Sequence, residues 1–297
     1  MEQPEHLHKE IVIVGGGTAG VTVAAMLRRL APEAEVCLVD AAKKHYYQPA
    51  FTLVGSGDYR LEDTIRPEKD LIPEGVDWVQ AFVAEVEPEQ NLLLLSDGRK
   101  LTYRYLVMAP GIQLNWNGIP GLAETIGTNG VTSNYDPQYA PYTWELVKNM
   151  KQGHALFTQP ATPIKCGGAP QKIMYMADDH WRRTGQRKDI TVSFYTPGTV
   201  IFGVKKFAQT LNQIISERNL YVYYYHELIE IRPETREAVF RICAQDISCV
   251  TIEGPANDRN PFQNHTLDGQ VVVKYDMLHL APPMSAPDFI RKSTLAI

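Results

Sequence analysis

The sequence predicts an α/β fold of two three-layer units, each with a parallel sheet flanked by helices. Three observations carry this. A continuous apolar run, Ile11-Val12-Ile13-Val14, passes without a break into Gly15-Gly16-Gly17-Thr18-Ala19-Gly20 and then a helix-patterned stretch. The same strand–helix–strand rhythm restarts at Ala155. The length, 297 residues, is about twice that of an ordinary domain.

Taken in order, Ile11 to Val14 reads as a strand buried on both faces, because no polar residue alternates with the apolar ones. Val21 to Leu30 reads as a helix ended by Ala31-Pro32, and Glu35 to Val39 as a second strand ending at Asp40. The pattern Gly15-x-Gly17-x-x-Gly20 between strand and helix, with an acid about 20 residues on, is the fingerprint of a Rossmann-like dinucleotide site. Gly15 permits the tight turn, Gly17 lets the backbone approach a pyrophosphate, and Gly20 lets helix and strand pack closely. Gly16 and Ala19 belong to the same turn. The helix N-terminus offers free N–H groups to the phosphates. Asp40 can accept both hydroxyls of a ribose. Cys37, inside the second strand, reads as a small buried hydrophobe.

A long excursion then separates this opening from its return strand. His45 to Pro49 is aromatic and polar, and Leu53 to Gly57 reads as loop. Val76 to Val86 carries strand pattern. Asn91 to Leu95 and Lys100 to Tyr103 flank Asp97-Gly98, a hairpin signal. Tyr105 to Met108 returns and ends in Ala109-Pro110-Gly111. A meander before a return strand ending in Ala-x-Gly is the layout of the FAD domain in flavoproteins with two dinucleotide-binding units. The usual tripeptide there is Ala-Thr-Gly, from which Pro110 departs, while Gly111 still permits close approach of a cofactor. This first domain is expected to span residues 1–115.

Residues 116–297 repeat the architecture without the fingerprint. Tyr142 to Met150, Gln171 to Thr184 and Lys206 to Glu217 read as helices. Ala155 to Gln159, Ile190 to Tyr195 and Leu220 to Tyr225 read as strands between them. Shorter strands follow at Leu228 to Arg232 and Glu237 to Ile242, and Met277 to Pro283 closes the unit as Tyr105 to Gly111 closes the first. Where a second phosphate turn would stand, the chain reads Pro160-Ala161-Thr162-Pro163-Ile164-Lys165-Cys166-Gly167-Gly168-Ala169-Pro170. The next strand ends in Thr196-Pro197, with no acid for a ribose. NAD(P)H binding is therefore not expected in this unit.

Cys166 is the candidate reactive residue. Lys165 precedes it, two glycines clear the space after it, and Pro170 marks the first turn of the next helix. A neighbouring cation and a nearby helix N-terminus are the two features that favour a thiolate. Cys243 and Cys249 read as strand thiols. The eight histidines show no metal-ligand spacing, and no metal is expected. His6 and His8 are placed at a frayed terminus, and His279 reads as a satisfied core residue. Lys205-Lys206 reads as a solvated surface pair, although its charge could attract an anionic substrate.

Composition agrees with a globular chain: 44% hydrophobic and 21% charged residues. A net charge of −5 argues against a nucleic-acid partner. Four cysteines are too few for a disulfide scaffold. The first residues carry neither a secretion signal nor an Arg-rich transit pattern, so the expected place is the cytoplasm or the cytoplasmic face of a bacterial membrane.

The stretch Thr162 to Tyr175 resembles the cysteine motif of the sulfide:quinone oxidoreductases, the mitochondrial type and its bacterial relatives. His45 to Pro49, Leu53 to Gly57, Tyr103 to Leu114, Phe202 to Lys206 and Met277 to Pro283 agree with it, so the resemblance runs from about Ile11 to Asp288. It implies FAD on Gly15, Gly16, Gly17, Ala19, Gly20 and Asp40, with Gln48, Val83, Ala109 and Gly111 along it. It implies hydrogen sulfide as substrate, a persulfide on Cys166, a small thiol or other acceptor for the sulfane sulfur, and a membrane quinone as electron acceptor. Family members continue past the point matching Ile297. That further part supplies a Gly-Asp motif for the flavin, the second redox cysteine, the quinone pocket and helices for peripheral membrane association. The chain is accordingly expected to be a fragment or a shortened form that holds FAD poorly. Two other readings stand beside this one: an NAD(P)H-dependent quinone or disulfide reductase of the same fold, and a non-catalytic dinucleotide-binding remnant.

Overall fold

The computed structural model describes residues 6–244, 252–253, 261–265 and 270–296. They form two compact units, one of Met1–Tyr47, Ile65–Gln113 and Ser285–Ile297, the other of Gln48–Thr64 and Leu114–Met284. Residues 48–64 and 285–297 thus fall in the opposite unit from the one a single cut after residue 115 gives them.

The first unit opens with β1 (His6–Val14), α1 (Thr18–Leu30), β2 (Val36–Val39) and the short β3 (Lys44–Tyr46). It resumes with β4 (Ile65–Pro67), β5 (Val76–Val79), β6 (Val83–Glu87), β7 (Leu92–Leu95) and β8 (Lys100–Met108). The sheet runs β5-β2-β1-β8-β7-β6, with β5, β2, β1 and β8 parallel and β6-β7-β8 an antiparallel meander. Alternate residues of β1 point to opposite faces. Ile13 packs with Ala24 of α1 and with Val36 and Leu38. Val12 and Val14 pack on the other side with Cys37, Leu93 and Leu101. Both faces are covered, which is why the strand is apolar throughout.

Three sequence expectations change here. Val76 to Val86 is two strands: β5 takes the parallel edge, and residues 80–82 lead to β6 on the meander edge. Lys100 to Met108 is one strand, because its first half pairs with β7 while its whole length pairs with β1. His6 and His8 are not frayed but begin β1, where His8 Nδ1 lies 2.9 Å from the Thr102 hydroxyl.

The second unit contains α2 (Phe51–Gly55), a helix where the sequence reads as loop. The chain passes from the first unit to the second at β9 (Gln113–Leu114). Then follow α3 (Leu122–Thr125), β10 (Val131–Thr132), α4 (Ala140–Asn149), β11 (Gly153–Thr158), α5 (Ala169–Arg183), β12 (Ile190–Tyr195), α6 (Lys205–Glu217) and β13 (Tyr221–Tyr223). A second set comprises β14 (His226–Arg232), β15 (Glu237–Ile242), β16 (Ile252–Glu253), β17 (Gln263–His265), β18 (Val271–Lys274) and β19 (Met277–Leu280). β20 (Met284–Ser285) returns the chain to the first unit, which ends with α7 (Asp288–Arg291).

The main sheet of this unit runs β10-β19-β11-β12-β13-β16, parallel except at β16. Ala155 and Phe157 of β11 face a helix layer that includes Val147, Ile173, Met174, Trp181 and Ile215. Leu156 faces the opposite way, toward the antiparallel sheet β14-β15-β18-β17 through Leu228, Phe240 and Val271. The result is three layers: helices, parallel sheet and meander sheet. Asp178, fully buried in α5, is held by Arg182 at 2.8 Å, Arg187 at 2.5 Å and Arg218 at 3.1 Å. Three hydrogen-bonded cations are what a buried carboxylate needs.

Candidate functional site

In the first unit the glycines of the turn divide by what surrounds them. Gly15 has φ +104°, and a Cβ on it would stand 2.2 Å from the Ala109 carbonyl oxygen. A Cβ on Gly20 would stand 1.8 Å from the Gly15 carbonyl oxygen. Both sites require glycine for the strand, turn and helix to close on one another. Gly17 differs: nothing lies within 4 Å of the place a Cβ would take. It is exposed, as are Thr18 and Ala19. α1 begins there with no side-chain cap and no acid in its first turn. Its free N–H groups and positive end therefore face open space, the arrangement that accepts a phosphate. Gly111, at φ +75°, is likewise open.

Asp40 follows β2. Its carboxylate accepts N–H groups from Gly16 and, at 2.7 Å, from Ala42, which fixes it beside the turn. Val83 is a core residue. Sequence reasoning missed the acid behind the turn. Glu68 is 2% exposed, lies 3.3 Å from His45 Nδ1 through Oε2, and leaves Oε1 without a partner among the described residues. A Cβ on Gly16 would stand 2.8 Å from that oxygen. Burial pushes the Glu68 carboxyl up, against the pull of His45, and the charge of Asp40 pushes it further. Nothing in the sequence distinguishes Glu68 from a surface acid.

In the second unit the connection from β11 to α5 is long, residues 159–168, where the first unit needs only residues 15–17. Pro160, Pro163 and Lys165 stand in that connection, which differs from the short glycine turn of the first unit. Cys166 sits in that loop, exposed, three residues before α5. Its φ of +60° is the left-handed region, uncommon for a residue with a Cβ. The Cys166 carbonyl accepts the Ala169 N–H at 2.9 Å, tying the loop to the helix start.

Three side chains hold the loop from outside. The Tyr135 hydroxyl donates to the carbonyls of Lys165 at 3.1 Å and Cys166 at 3.4 Å. Burial raises the Tyr135 phenol, and Cys166 adds to the shift. The Lys165 N–H donates to Met284 Sδ at 3.3 Å, and the Lys165 ammonium donates to Gln48 Oε1. Partial burial lowers the Lys165 ammonium, while Cys166 opposes that. Gln48, expected along a cofactor, is therefore found on Lys165. A small cavity of about 80 Å³ adjoins Cys166, and Asn134, Tyr135, Lys165 and Lys172 line it.

The remaining candidates lie apart from chemistry. Cys37 is fully buried, and burial pushes its thiol up to about 11. Cys243 is exposed and its thiol donates to the Tyr225 carbonyl at 3.1 Å, while Cys249 lies outside the described residues. Lys205 and Lys206 are exposed at the start of α6. His279 is fully buried in β19 and accepts the Asn134 N–H on Nε2 at 3.1 Å. Its Nδ1 has no partner among the described residues, so it is a core residue only half satisfied.

Residues 9–145 match the family model described as pyridine nucleotide-disulphide oxidoreductase. The chain is 41% identical to the mitochondrial sulfide:quinone oxidoreductase of Mus musculus, over 97% of its own length and 60% of the relative's. Against the mitochondrial sulfide:quinone oxidoreductase of Dictyostelium discoideum the figures are 39%, 97% and 59%. The solved sulfide:quinone oxidoreductase of Aquifex aeolicus superposes with a TM-score of 0.73 at 19% identity, covering 96% of this chain and 60% of that one. The chain thus spans about three fifths of the length of the relatives it matches. The two Rossmann-like units are the fold these proteins share.

Proposed function

We propose that this chain carries the FAD site and the persulfide-bearing cysteine of a sulfide:quinone oxidoreductase. The observation that carries the reading is Cys166 itself. It is an exposed thiol held in a left-handed turn before α5, at the position where a dinucleotide-binding unit would place its phosphate turn. Similarity to proteins named sulfide:quinone oxidoreductase over 97% of the chain supports the assignment.

The open face at Gly17, the uncapped start of α1 and the clearance at Gly111 fit a bound dinucleotide. Gly15, Gly16, Gly17, Ala19 and Gly20 would hold the FAD pyrophosphate on backbone N–H groups, and Asp40 the adenosine ribose. Val83, Ala109 and Gly111 would lie along it. When bound, FAD supplies a two-electron acceptor. Hydrosulfide and the Cys166 thiolate would give a persulfide and one proton, a two-electron oxidation for which FAD would supply the acceptor and a quinone the final oxidant. The sulfane sulfur then passes to a small thiol or another nucleophile, which restores the thiolate. Tyr135 and Lys165 hold the loop that presents Cys166.

Peripheral attachment to a membrane would give access to the quinone. No helix among the described residues is long and apolar enough to cross a bilayer. The curated relatives are named as mitochondrial.

The long, proline-bearing connection of residues 159–168 weighs against the reading of an NAD(P)H-dependent reductase, since it departs from the short glycine turn that brings backbone against a pyrophosphate. Anaerobic titration of the FAD-loaded chain tests the proposal. Sulfide should bleach the flavin absorbance and NADH should not. Bleaching by NADH alone contradicts the proposal, and a chain that binds no FAD favours the non-catalytic remnant.

A further inference from the structure

Asn134 is 7% exposed, and neither atom of its carboxamide has a hydrogen-bond partner among the described residues. Its position is not loose. The Asn134 N–H donates to the fully buried His279. Its amide occupies the space that a Cβ on Gly55 would need, 2.4 Å from Oδ1 and 2.6 Å from Nδ2. A buried amide without a partner is uncommon and marks a place where a ligand completes the set. Asn134 lines the cavity beside Cys166, together with Thr52, Lys165 and Lys172.

The charge and size of that cavity define its occupant. Lys165 and Lys172 are its charged lining residues, and no acid lines it. The Lys165 ammonium is engaged by Gln48, and the Tyr135 hydroxyl is spent on two carbonyls. Lys172 in the first turn of α5 is the lining cation that remains, and the Asn134 amide N–H is a buried donor with no partner among the described residues. The volume is about 80 Å³, room for two or three groups of water size at about 30 Å³ each. A drug-sized or peptide-sized ligand needs ~300 Å³ or more.

We propose that this cavity is a subsite for a small inorganic anion of about three heavy atoms, with the Asn134 amide as its neutral donor and Lys172 as its countercharge. The use of the site rests on the proposed reaction. There it would hold a small anionic sulfur nucleophile against Cys166, whereas a peptide-sized thiol would have to reach the thiol from its exposed side. Anion binding itself does not depend on that reading.

The test is the rate of Cys166 alkylation by iodoacetamide in the full chain, read by peptide mass spectrometry, with thiocyanate as the probe at constant ionic strength set by sodium fluoride. Cys243, also exposed, is the internal control. Thiocyanate should slow alkylation of Cys166 saturably and leave Cys243 unchanged. Asn134→Leu and Lys172→Gln should each raise the half-protecting concentration about tenfold. Asn134→Asp, nearly the same size, should abolish protection and keeps the test valid if Asn134→Leu does not fold. Equal slowing at both cysteines, no saturation, or an unchanged protection curve in Lys172→Gln and Asn134→Asp would overturn the subsite. Protection without any flavin bleaching by sulfide would instead leave the subsite standing and defeat the proposed reaction.

Discussion

The carboxamide of Asn134 stands where a side chain on Gly55 would have to be. A Cβ built on Gly55 falls 2.4 Å from Asn134 Oδ1. Gly55 closes α2, so the helix that follows Gln48 is shaped around a residue on the loop after β10. Gly55→Ala should therefore destabilise the protein by about 2 kcal/mol, the usual cost of overpacking. Asn134→Ala should remove most of that penalty in the double variant. Urea unfolding of the four-member cycle measures it, and strict additivity would refute the relationship.

The phosphate turn makes an uneven demand on its glycines. Gly20→Ala meets backbone at 1.8 Å and should cost about 3 kcal/mol of stability. Gly17→Ala meets nothing within 4 Å. Its melting temperature without flavin should stay near wild type while its FAD affinity falls by about tenfold or more. Equal FAD affinity in Gly17→Ala would show that the pyrophosphate does not rest there.

Cys166 adopts its left-handed turn at a cost of about 1 kcal/mol relative to glycine. Cys166→Gly should therefore raise stability by about that amount while eliminating reaction with sulfide. Tyr135→Phe, which removes the hydroxyl bonds to the loop carbonyls, should lower stability by about 1 kcal/mol. Calorimetry checks both. A destabilised Cys166→Gly variant would mean that the turn carries no strain.

Two buried histidines set an acid limit. Burial lowers His154 from 6.5 to about 4 and His279 to about 3. Each is neutral in the folded chain and takes a proton on unfolding below pH 6.5. Their contribution to stability is present above about 6.5 and is lost as pH falls toward the folded values, at about 1.4 kcal/mol per pH unit for each histidine. His154 bonds the Ser193 hydroxyl and the Lys274 carbonyl, both at 2.6 Å. Glutamine can keep one donor and one acceptor there without titrating. Between pH 7.5 and pH 5, His154→Gln should lose about 2 kcal/mol less than wild type in urea unfolding. Parallel losses would place the acid limit elsewhere.

The turn Gly15 to Gly20 was legible because Gly15 and Gly20 answer steric demands that only glycine meets, and those demands leave a mark in sequence. So was the place of Cys166, in the connection from β11 to α5 whose prolines mark it as loop. The division of residues 76–86 was not legible, because a short strand on a parallel edge and one in a meander carry the same apolar pattern. Residues 51–55 read as loop because the glycines and serine after Leu53 mark a turn, yet packing holds one helical turn there. Glu68 and Asn134 left no trace either. Each carries a buried polar atom without a partner among the described residues, and burial of a polar side chain is decided by tertiary structure.

Whether Cys166 receives the sulfur atom is read by anaerobic reaction of the FAD-loaded chain with sulfide, followed by alkylation and peptide mass spectrometry. One added sulfur atom should appear on the Cys166 peptide, in step with flavin reduction, and neither should appear in Cys166→Ser. Flavin reduction by sulfide that persists in Cys166→Ser, or sulfur found on Cys243 instead, would contradict it.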